Sequence, residues 1–344
     1  MSKLTIPPRS RHRKILLLGA ATPLRFKPVF LYILLSTLIG LVGCRKDTLQ
    51  FIAYQPSVDD LNMTLAQVPA PSTHSIFDLD GLNQDTTLTT ASGVRVTLID
   101  TEQLFQNNAG TPIPCSTCPD LRIEVIEVLK KGDILARKLP TRTMDHQALE
   151  TVAMVNVRVF CNEVELNLLP NRNYNIQVPA ADLQPNLELW TGVLSGDELV
   201  GWNPSPSTGA VGWGEWQDDN GAIVTGYDIL TKDLGWNSAC APITEPSSSF
   251  CIEMPPGFDS ENSQVFLVLT NSKSVFELEA DPNSNSFCLD QAPIGYSVQL
   301  ITLTKLGNQY LLGNVQSEIG TNSVVDLDPE ESPELAIIQF LKSL

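Results

Sequence analysis

The stretch VNVRVFCNEVELNL, residues 155–168, sets the fold class of this chain. Apolar and polar side chains alternate over residues 155–160 and again over residues 163–168. This period of two is expected of β-strands that bury one face. Asn162 and Glu163 lie between the two runs, where the chain needs a tight turn. The stretch therefore predicts a β-hairpin with one buried face.

Short runs of the same kind continue on both sides of this hairpin, separated by turn residues such as Gly, Pro, Asn and Asp. They cover residues 94–99, 121–125, 174–178, 250–254, 265–270, 275–278, 297–304 and 310–315. Many short strands with turns about every ten residues favour sandwiches or barrels over alternating strands and helices. The sequence therefore predicts an all-β protein.

The last stretch, SPELAIIQFLKSL at residues 332–344, changes period. Leu335, Ile338 and Leu341 recur at helical spacing. Ser332 can cap the first turn, and Pro333 suits the first helical position. We expect a short amphipathic C-terminal helix.

Composition divides the rest of the chain. Residues 44–75 are polar and Pro-rich, which predicts a tether, although an ordinary loop entering the first strand would look the same. Residues 76–182 form the first predicted β-sandwich-like domain. Residues 183–225 hold four tryptophans among Gly, Pro and Ser and are interpreted as a junction. Residues 226–344 form the second predicted β-sandwich-like domain, which includes the C-terminal helix.

The first 43 residues have the layout of an export signal. Basic residues, with no acidic residue before Asp47, precede the apolar run PVFLYILLSTLIGLVG at residues 28–43. A cysteine directly after a small residue is typical of bacterial lipoprotein signals, so we expect cleavage after Gly43 and lipidation of Cys44. The alternative is an uncleaved membrane anchor, but the run of 16 residues is short against the roughly 20 that a bilayer core needs.

The chain is strongly acidic, with a formal net charge of −17. Cleavage after Gly43 removes seven Lys and Arg and no acidic residue, which leaves 22 − 7 = 15 basic against 39 acidic residues, a net charge of −24. Such a surface repels phosphate backbones, so we expect no nucleic-acid partner. The charge serves solubility, and cation binding or a basic partner are the alternatives.

Six cysteines remain once Cys44 is set aside, and exported proteins keep their disulfides. Alternation places one of them, Cys161, on the apolar face of its strand, where a reduced thiol can be buried. A bridge across the junction is the alternative. The sequence predicts two bridges and two free thiols: Cys115–Cys118 and Cys240–Cys251, with Cys161 and Cys288 reduced.

The Cys115-Ser-Thr-Cys118 motif has two further interpretations, a redox site and a metal site. A redox pair needs its first thiol at a helix N-terminus, but Pro114 and Pro119 flank this motif and a strand follows it. A zinc site would need two more ligands. A structural disulfide is therefore the expectation.

Catalytic motifs do not stand out in the sequence. Beyond the signal the histidines are His74 and His146. Glu163 and Glu165 resemble a glycosidase pair, but both occupy a strand face that we expect to be solvated. The stretch 78–85 resembles a calcium loop whose ligand order is interrupted, so we expect an ordinary acidic turn. We predict no catalytic residue, no metal and no cofactor.

Trp202, Trp213 and Trp216 lie in the predicted junction. We expect all three to be mostly buried between the two sandwiches, because the segment offers no long strand on which a flat platform could form. The alternative is an exposed platform on which sugar rings stack.

Four strings occur in a recognisable order: SGVRVTL, RIEVIEVLKKGDILARKLPT, ALETVAM and ELNLLPNRNYNIQVP. In them a strand ends in Glu127, a turn carries Lys131-Gly132-Asp133, and Pro140 precedes Thr141. This order resembles uncharacterised surface or periplasmic lipoproteins of gram-negative bacteria over about residues 85–315. The first half is also distantly similar to the β-sandwich domain shared by ankyrins, zona-occludens proteins and netrin receptors. The resemblance implies an envelope location and an interaction role without catalysis.

These observations lead to one expected function and two alternatives. We expect a non-enzymatic, lipid-anchored protein of the outer membrane, facing the periplasm or the outside, which acts as a structural or interaction module. It would contact the membrane through Cys44 and an envelope protein or glycan through its folded part. The alternatives are a glycan-binding accessory lipoprotein that uses the tryptophans, and an envelope hydrolase.

Lipidation can be tested directly. Because the acyl chains attach through the thiol, Cys44→Ser should leave an uncleaved or mislocalised precursor. Membrane fractionation and the apparent mass of the product measure this. Normal processing and normal fractionation of the variant would exclude the lipoprotein signal.

Overall fold

Five β-sheets and three short α-helices make up the part of the chain that the structure, a computed structural model, describes: residues 58–205, 210–282 and 284–344. Four of the sheets pair into two sandwiches. The prediction of an all-β protein with a short C-terminal helix is therefore confirmed. The predicted signal and Cys44 lie outside the described residues. No helix among the described residues is long and apolar enough to span a membrane.

The first sandwich is built from the N-terminal strands. They are β1 (His74–Leu79), β2 (Thr86–Thr89), β3 (Arg95–Leu98), β4 (Phe105–Gln106), β5 (Pro112–Ile113), β6 (Leu121–Val128), β7 (Leu149–Cys161), β8 (Val164–Glu165), β9 (Asn167–Leu168), β10 (Tyr174–Pro179), β11 (Glu188–Ser195), β12 (Glu198–Pro204), β13 (Ala210–Gln217), β14 (Ile223–Thr231) and β15 (Gly235–Pro242). Sheet I has the order β1-β6-β7-β15-β11-β12, with β8 paired to β7. Sheet II has the order β13-β14-β10-β3-β2, and β5-β4-β9 form a small third sheet.

The second sandwich follows in the chain. Its strands are β16 (Ser247–Glu253), β17 (Ser263–Leu269), β18 (Val275–Glu277), β19 (Glu279–Ala280), β20 (Ser286–Pro293), β21 (Ser297–Leu306), β22 (Gln309–Glu318), β23 (Ser323–Asp326) and β24 (Glu330–Glu331). Sheet III has the order β18-β17-β21-β22-β24, and sheet IV the order β19-β20-β16-β23. Within these two sheets the β16–β23 pair is parallel and the others are antiparallel.

The hairpin predicted over residues 155–168 is present. β7 turns at Asn162 and Glu163 and pairs back as β8, with Cys161 opposite Val164. Both turn residues have positive φ, as a tight two-residue hairpin turn requires. Leu166 and Leu168 are buried as predicted, whereas Val164 is exposed.

Three apolar cores hold the layers together. One lies between sheets I and II, and another between sheets III and IV. The third, which we call the middle core, joins the outer face of sheet I to the outer face of sheet III. It contains Met154, Trp190 and Trp202 from the first sandwich and Phe266 and Ile301 from the second.

Strands β7 and β17 are buried on both faces because they border the middle core. In β17, Val265 and Leu267 point into the second sandwich, while Phe266 and Val268 point into the middle core. In β7, Val155 faces the first core and Met154 the middle core. The continuous apolar run over residues 265–269 therefore marks a strand without a solvent face.

The three helices α1 (Val58–Leu65), α2 (Lys131–Ala136) and α3 (Glu334–Lys342) pack into the middle core. α1 buries Leu61 and Leu65 there, and its Asp60 forms an ion pair with Lys305 of β21. Residues 58–75 are therefore folded structure rather than part of the tether predicted for residues 44–75, because α1 carries an apolar face. Residues 44–57 of that predicted tether lie outside the described residues.

The C-terminal helix differs from its prediction in detail. Pro333, not Ser332, is the N-cap residue, and no side chain caps the first turn. Ile337 is buried together with Ile338 and Leu341, while Leu335 is exposed. The buried face of the helix is therefore turned about the helix axis relative to the face that the spacing indicated.

The sandwich boundaries also differ from the predicted ones. β11, β12 and β13 come from the predicted junction, residues 183–225, but they are integral strands of sheets I and II. β14 and β15 begin the predicted second domain, residues 226–344, yet they too belong to the first sandwich. The chain leaves the first sandwich only after Pro242, because β15 has to return to the centre of sheet I and pair with β7.

The disulfide prediction is wrong in both pairs. The bridges are Cys118–Cys161 and Cys251–Cys288, which leaves Cys115 and Cys240 as buried free thiols. Each bridge joins residues that the sheets bring together: Cys251 lies directly opposite Cys288 in sheet IV, and Cys161 ends β7 opposite the start of β6. Cys240 instead lies in sheet I, beside Ser238 and Thr151.

The thiols provide a direct test of this pairing. Burial raises the pKa of Cys115 to about 12 and that of Cys240 to about 11. Because alkylation uses the thiolate, iodoacetamide should label neither of them in the native protein near neutral pH. Unfolding without reductant should expose both, whereas the bridged cysteines should react only after reduction. A Cys115–Cys118 bridge in a non-reducing peptide map would contradict the structure.

Candidate interaction surface

The three tryptophans that the sequence grouped together have separate environments. Trp202 is 0% exposed in the middle core, and its Nε1 donates a hydrogen bond to the Pro140 carbonyl oxygen at 2.7 Å. Trp216 is 8% exposed and packs over Gly226, where a Cβ would lie 2.7 Å from the indole. Trp213 is 62% exposed. Trp202 is therefore buried between the sandwiches as expected, Trp216 is buried against sheet II rather than between the sandwiches, and the expectation that Trp213 is buried is wrong.

The side chains considered for catalysis lie apart. His74 begins β1 and His146 lies in the loop before β7, and both are exposed. Glu165 accepts two hydrogen bonds from Arg158, at 2.8 and 2.9 Å, which lower the pKa of its carboxyl. Glu163 pairs with Arg122 at 3.0 Å. Each of these two carboxylates is therefore occupied by an arginine on the surface of sheet I.

The acidic stretch 78–85 spans the end of β1 and the turn that follows. Asp85 Oδ1 accepts a hydrogen bond from the Asp100 backbone N–H at 2.8 Å, which ties this turn to the end of β3. Within the described ranges, no group of three or more His, Cys, Asp or Glu side chains is placed to hold a metal ion.

Strand β13 is the longest edge strand among the described residues. It runs for eight residues at the end of sheet II, and its register with β14 is regular throughout. The edge strand β12 has seven residues, but its pairing with β11 shifts register, and residues around Thr143 bridge to it. The edge strand β1 has six residues, and the remaining edges of sheets II, III and IV have two to four.

The features that normally protect an edge are sparse in β13. Natural edge strands carry lysine, proline, inward charges or bulges that prevent pairing with another chain. The sequence AVGWGEWQ contains neither lysine nor proline, and its one charge is Glu215. An eight-residue edge of this kind is a template for another strand.

The hairpin of β13 and β14 presents Trp213 and Ile223 on one face. Trp213 lies opposite Tyr227, and Ile223 lies opposite Gln217, so register places both side chains on the same side of sheet II. Ile223 is 71% exposed. We call β13, the turn 218–222 and the start of β14 the edge hairpin.

The turn of the edge hairpin is pre-organised and acidic. Asp218 Oδ1 accepts hydrogen bonds from the backbone N–H groups of Ala222, at 2.8 Å, and Asn220, at 2.9 Å. The bond from Ala222 contributes most to lowering the pKa of the Asp218 carboxyl. The turn therefore holds a fixed negative charge beside the exposed apolar side chains.

Strand β13 is not evident from the sequence because glycines interrupt its apolar pattern. Gly212 and Gly214 leave one face of the strand without side chains, while the other face carries both an apolar residue, Trp213, and a charged one, Glu215. The sequence therefore lacks the regular alternation of apolar and polar residues that indicates a strand. The Asp-Asp-Asn-Gly turn at residues 218–221 is a hairpin signal that could have identified both strands.

No protein-family model, curated protein or solved structure matches the chain. The resemblance to gram-negative lipoproteins therefore stays a prediction.

The contrast between two tryptophans gives a stability test. Trp202→Ala should lower the free energy of unfolding by about 3–5 kcal/mol, because it empties a large volume in the middle core. Trp213→Ala should change it by no more than about 0.5 kcal/mol, as for other exposed positions. Chemical denaturation of both variants measures the difference. A large loss of stability in Trp213→Ala would contradict the exposure of this side chain.

Proposed function

We propose that the protein is a lipid-anchored, non-enzymatic envelope protein that binds a partner along the edge of β13. The observation that carries the proposal is the long, regular and unprotected edge strand with an exposed tryptophan. Extended segments of partner proteins add to such edges through main-chain hydrogen bonds, and side-chain pockets or anchors supply specificity. The edge hairpin offers both elements.

Trp213 is suited to be the anchor of this surface. Tryptophan is enriched among the few interface residues that contribute most of the binding energy. Trp202 and Trp216 are each less than one-tenth exposed, whereas Trp213 remains open to solvent. A partner strand beside β13 would cover the indole and bury the apolar surface that Trp213 now exposes to solvent.

The charge of the edge hairpin favours a basic partner segment. Asp218 and Asp219 lie within the turn, and Glu215 lies in β13 shortly before it. The predicted mature chain carries a net charge of −24 (15 − 39). Opposite charge steers the encounter and fixes register, while like charge excludes acidic partners. We therefore propose an extended segment rich in Lys or Arg as the ligand.

The proposed anchor is compatible with such a role. From Cys44 to Val58, where the described fold begins, there are 58 − 44 = 14 residue steps. A chain of that length spans at most about 50 Å, at roughly 3.3–3.6 Å per residue. Lipidation of Cys44 would keep Val58, the start of the described fold, within that distance of the membrane and restrict the partners of the protein to the envelope.

A glycan-binding role is the second candidate, and the exposure of Trp213 favours it. An open indole can stack on the apolar face of a sugar ring. The other two tryptophans do not join it in a platform, because Trp202 and Trp216 are buried elsewhere. The edge of β13 adds nothing to sugar stacking, which is why the protein partner is preferred.

Site-specific photo-crosslinking in the membrane-attached, full-length protein tests this proposal. A crosslinking residue at position 213 should capture a discrete envelope protein, and the captured segment should be basic. A crosslinker in place of Leu335, which is 65% exposed on α3, serves as a matched control and should capture no such protein.

Affinity capture with Trp213→Ala and Leu335→Ala complements the crosslinking. The partner should be lost from the Trp213→Ala sample and retained by Leu335→Ala. A discrete partner that is captured equally by both variants would place the interface elsewhere. A glycan-array signal that Trp213→Ala abolishes, without any protein crosslink at position 213, would favour the sugar-binding alternative.

A further inference from the structure

A cavity of about 310 Å³ lies where the lead-in segment 68–73, the start of α2 and the end of α3 meet. Val68, Pro71, Leu129 and Leu341 supply apolar parts of its wall. Its volume is at the lower end of the range found for small-molecule sites. The cavity lies on a different part of the fold from the edge hairpin, so it has to be explained separately.

Glu127 is a buried carboxylate in the wall of this cavity. It is 1% exposed, and its Oε2 accepts a hydrogen bond from Thr90 Oγ1 at 2.7 Å while Oε1 accepts one from Ser92 Oγ. No Lys or Arg of the described residues forms a salt bridge with it. The side-chain donors to this carboxyl among the described residues are therefore two hydroxyl groups, although buried carboxylates are normally paired with a cation.

Asp133 is a second buried carboxylate in the wall, and it is less satisfied than Glu127. It is 7% exposed, and among the described residues its side chain has no hydrogen bond and no salt bridge. Burial raises the pKa of the Asp133 carboxyl, while Arg137, Lys130 and Lys342 act in the opposite direction from a distance. Arg137 itself donates to Thr73 Oγ1 at 3.0 Å.

Two lysines form the exposed part of the lining. Lys130 precedes α2 and Lys342 is the last residue of α3, and both are open to solvent. The cavity therefore combines buried negative groups with positive groups at its mouth. A ligand that fits this arrangement carries a cation at its inner end and an anion at its outer end.

We infer that this cavity binds a small zwitterion with a primary ammonium group and a carboxylate, namely an α-amino acid with an apolar side chain or a dipeptide of such residues. The ammonium group has three N–H donors and would supply the hydrogen bonds that Asp133 lacks. The carboxylate would lie toward Lys130 and Lys342. The apolar wall would accept the side chain of the ligand.

The first test is a thermal-shift screen of the full-length protein in detergent against the common free amino acids and a set of apolar dipeptides. At least one apolar member should raise the melting temperature, because a ligand that binds only the folded state stabilises it. The two sets distinguish a free amino acid from a peptide ligand. If no member of either set shifts the melting temperature, the inference is wrong.

The second test removes each charge of the ligand in turn. For the best ligand, calorimetry should show at least a tenfold loss of affinity for its N-acetyl derivative and a smaller loss for its amide. The ammonium contacts are buried and the carboxylate contacts are exposed, which is the reason for this order. Equal binding of the N-acetyl derivative would overturn the assignment.

The third test changes the protein. Asp133→Asn should weaken binding at least tenfold, whereas Asp59→Asn, an exposed carboxylate on α1, should leave the affinity unchanged. Without ligand, Asp133→Asn should melt close to the wild type, because the Asp133 side chain makes no hydrogen bond or salt bridge among the described residues that the substitution could break. This readout separates lost binding from lost folding. Unchanged affinity in Asp133→Asn would exclude the site.

Discussion

The middle core is the interaction on which the rest of the structure depends. Each sandwich already has its own core, and two such sandwiches could remain independent domains joined by a linker. Here the outer faces of sheets I and III are themselves apolar and pack together with the three helices. Trp202 and Phe266 lie at this contact with less than 2% of their surface exposed. The described residues consequently form one compact unit.

The same contact decides which surfaces stay available. Sheets I and III lose much of their second faces to the middle core, which leaves sheets II and IV and the sheet edges with a larger share of the open strand positions. Most edges are short, and β12 is partly covered by the chain near Thr143. β13 remains long and regular, and Trp213 stays outside the cores because it lies on this outermost strand.

The buried carboxylates near α2, Glu127 and Asp133, do not stabilise the fold in the way that the apolar contacts of the middle core do. Burial of Asp133 without a hydrogen bond or salt bridge from the described residues disfavours the charged form of its carboxyl, which raises the pKa of that group. Strained or unsatisfied groups of this kind persist at functional sites, where a ligand completes them. The apolar contacts of the middle core stabilise the fold enough for these unsatisfied groups to be tolerated.

The sequence by itself determined the class of the fold and several of its local elements. The alternation over residues 155–168 is a local property, and it predicted the β7–β8 hairpin with its turn at Asn162 and Glu163. Helical spacing likewise predicted α3, although the capping residue and part of the buried face differ. Such signals work because neighbouring side chains in one element share a face whatever the rest of the chain does.

Only the tertiary structure decided which distant elements meet. β15 inserts between β7 and β11, which assigns the predicted junction to the first sandwich. Cys118 and Cys161 are 43 residues apart, and their pairing follows from the register of β6 and β7 rather than from the closer spacing of Cys115 and Cys118. The exposure of Trp213 and the gathering of Glu127 and Asp133 at one cavity have the same origin. A period of two specifies the face of a strand, but strand order depends on packing between residues that are far apart in sequence.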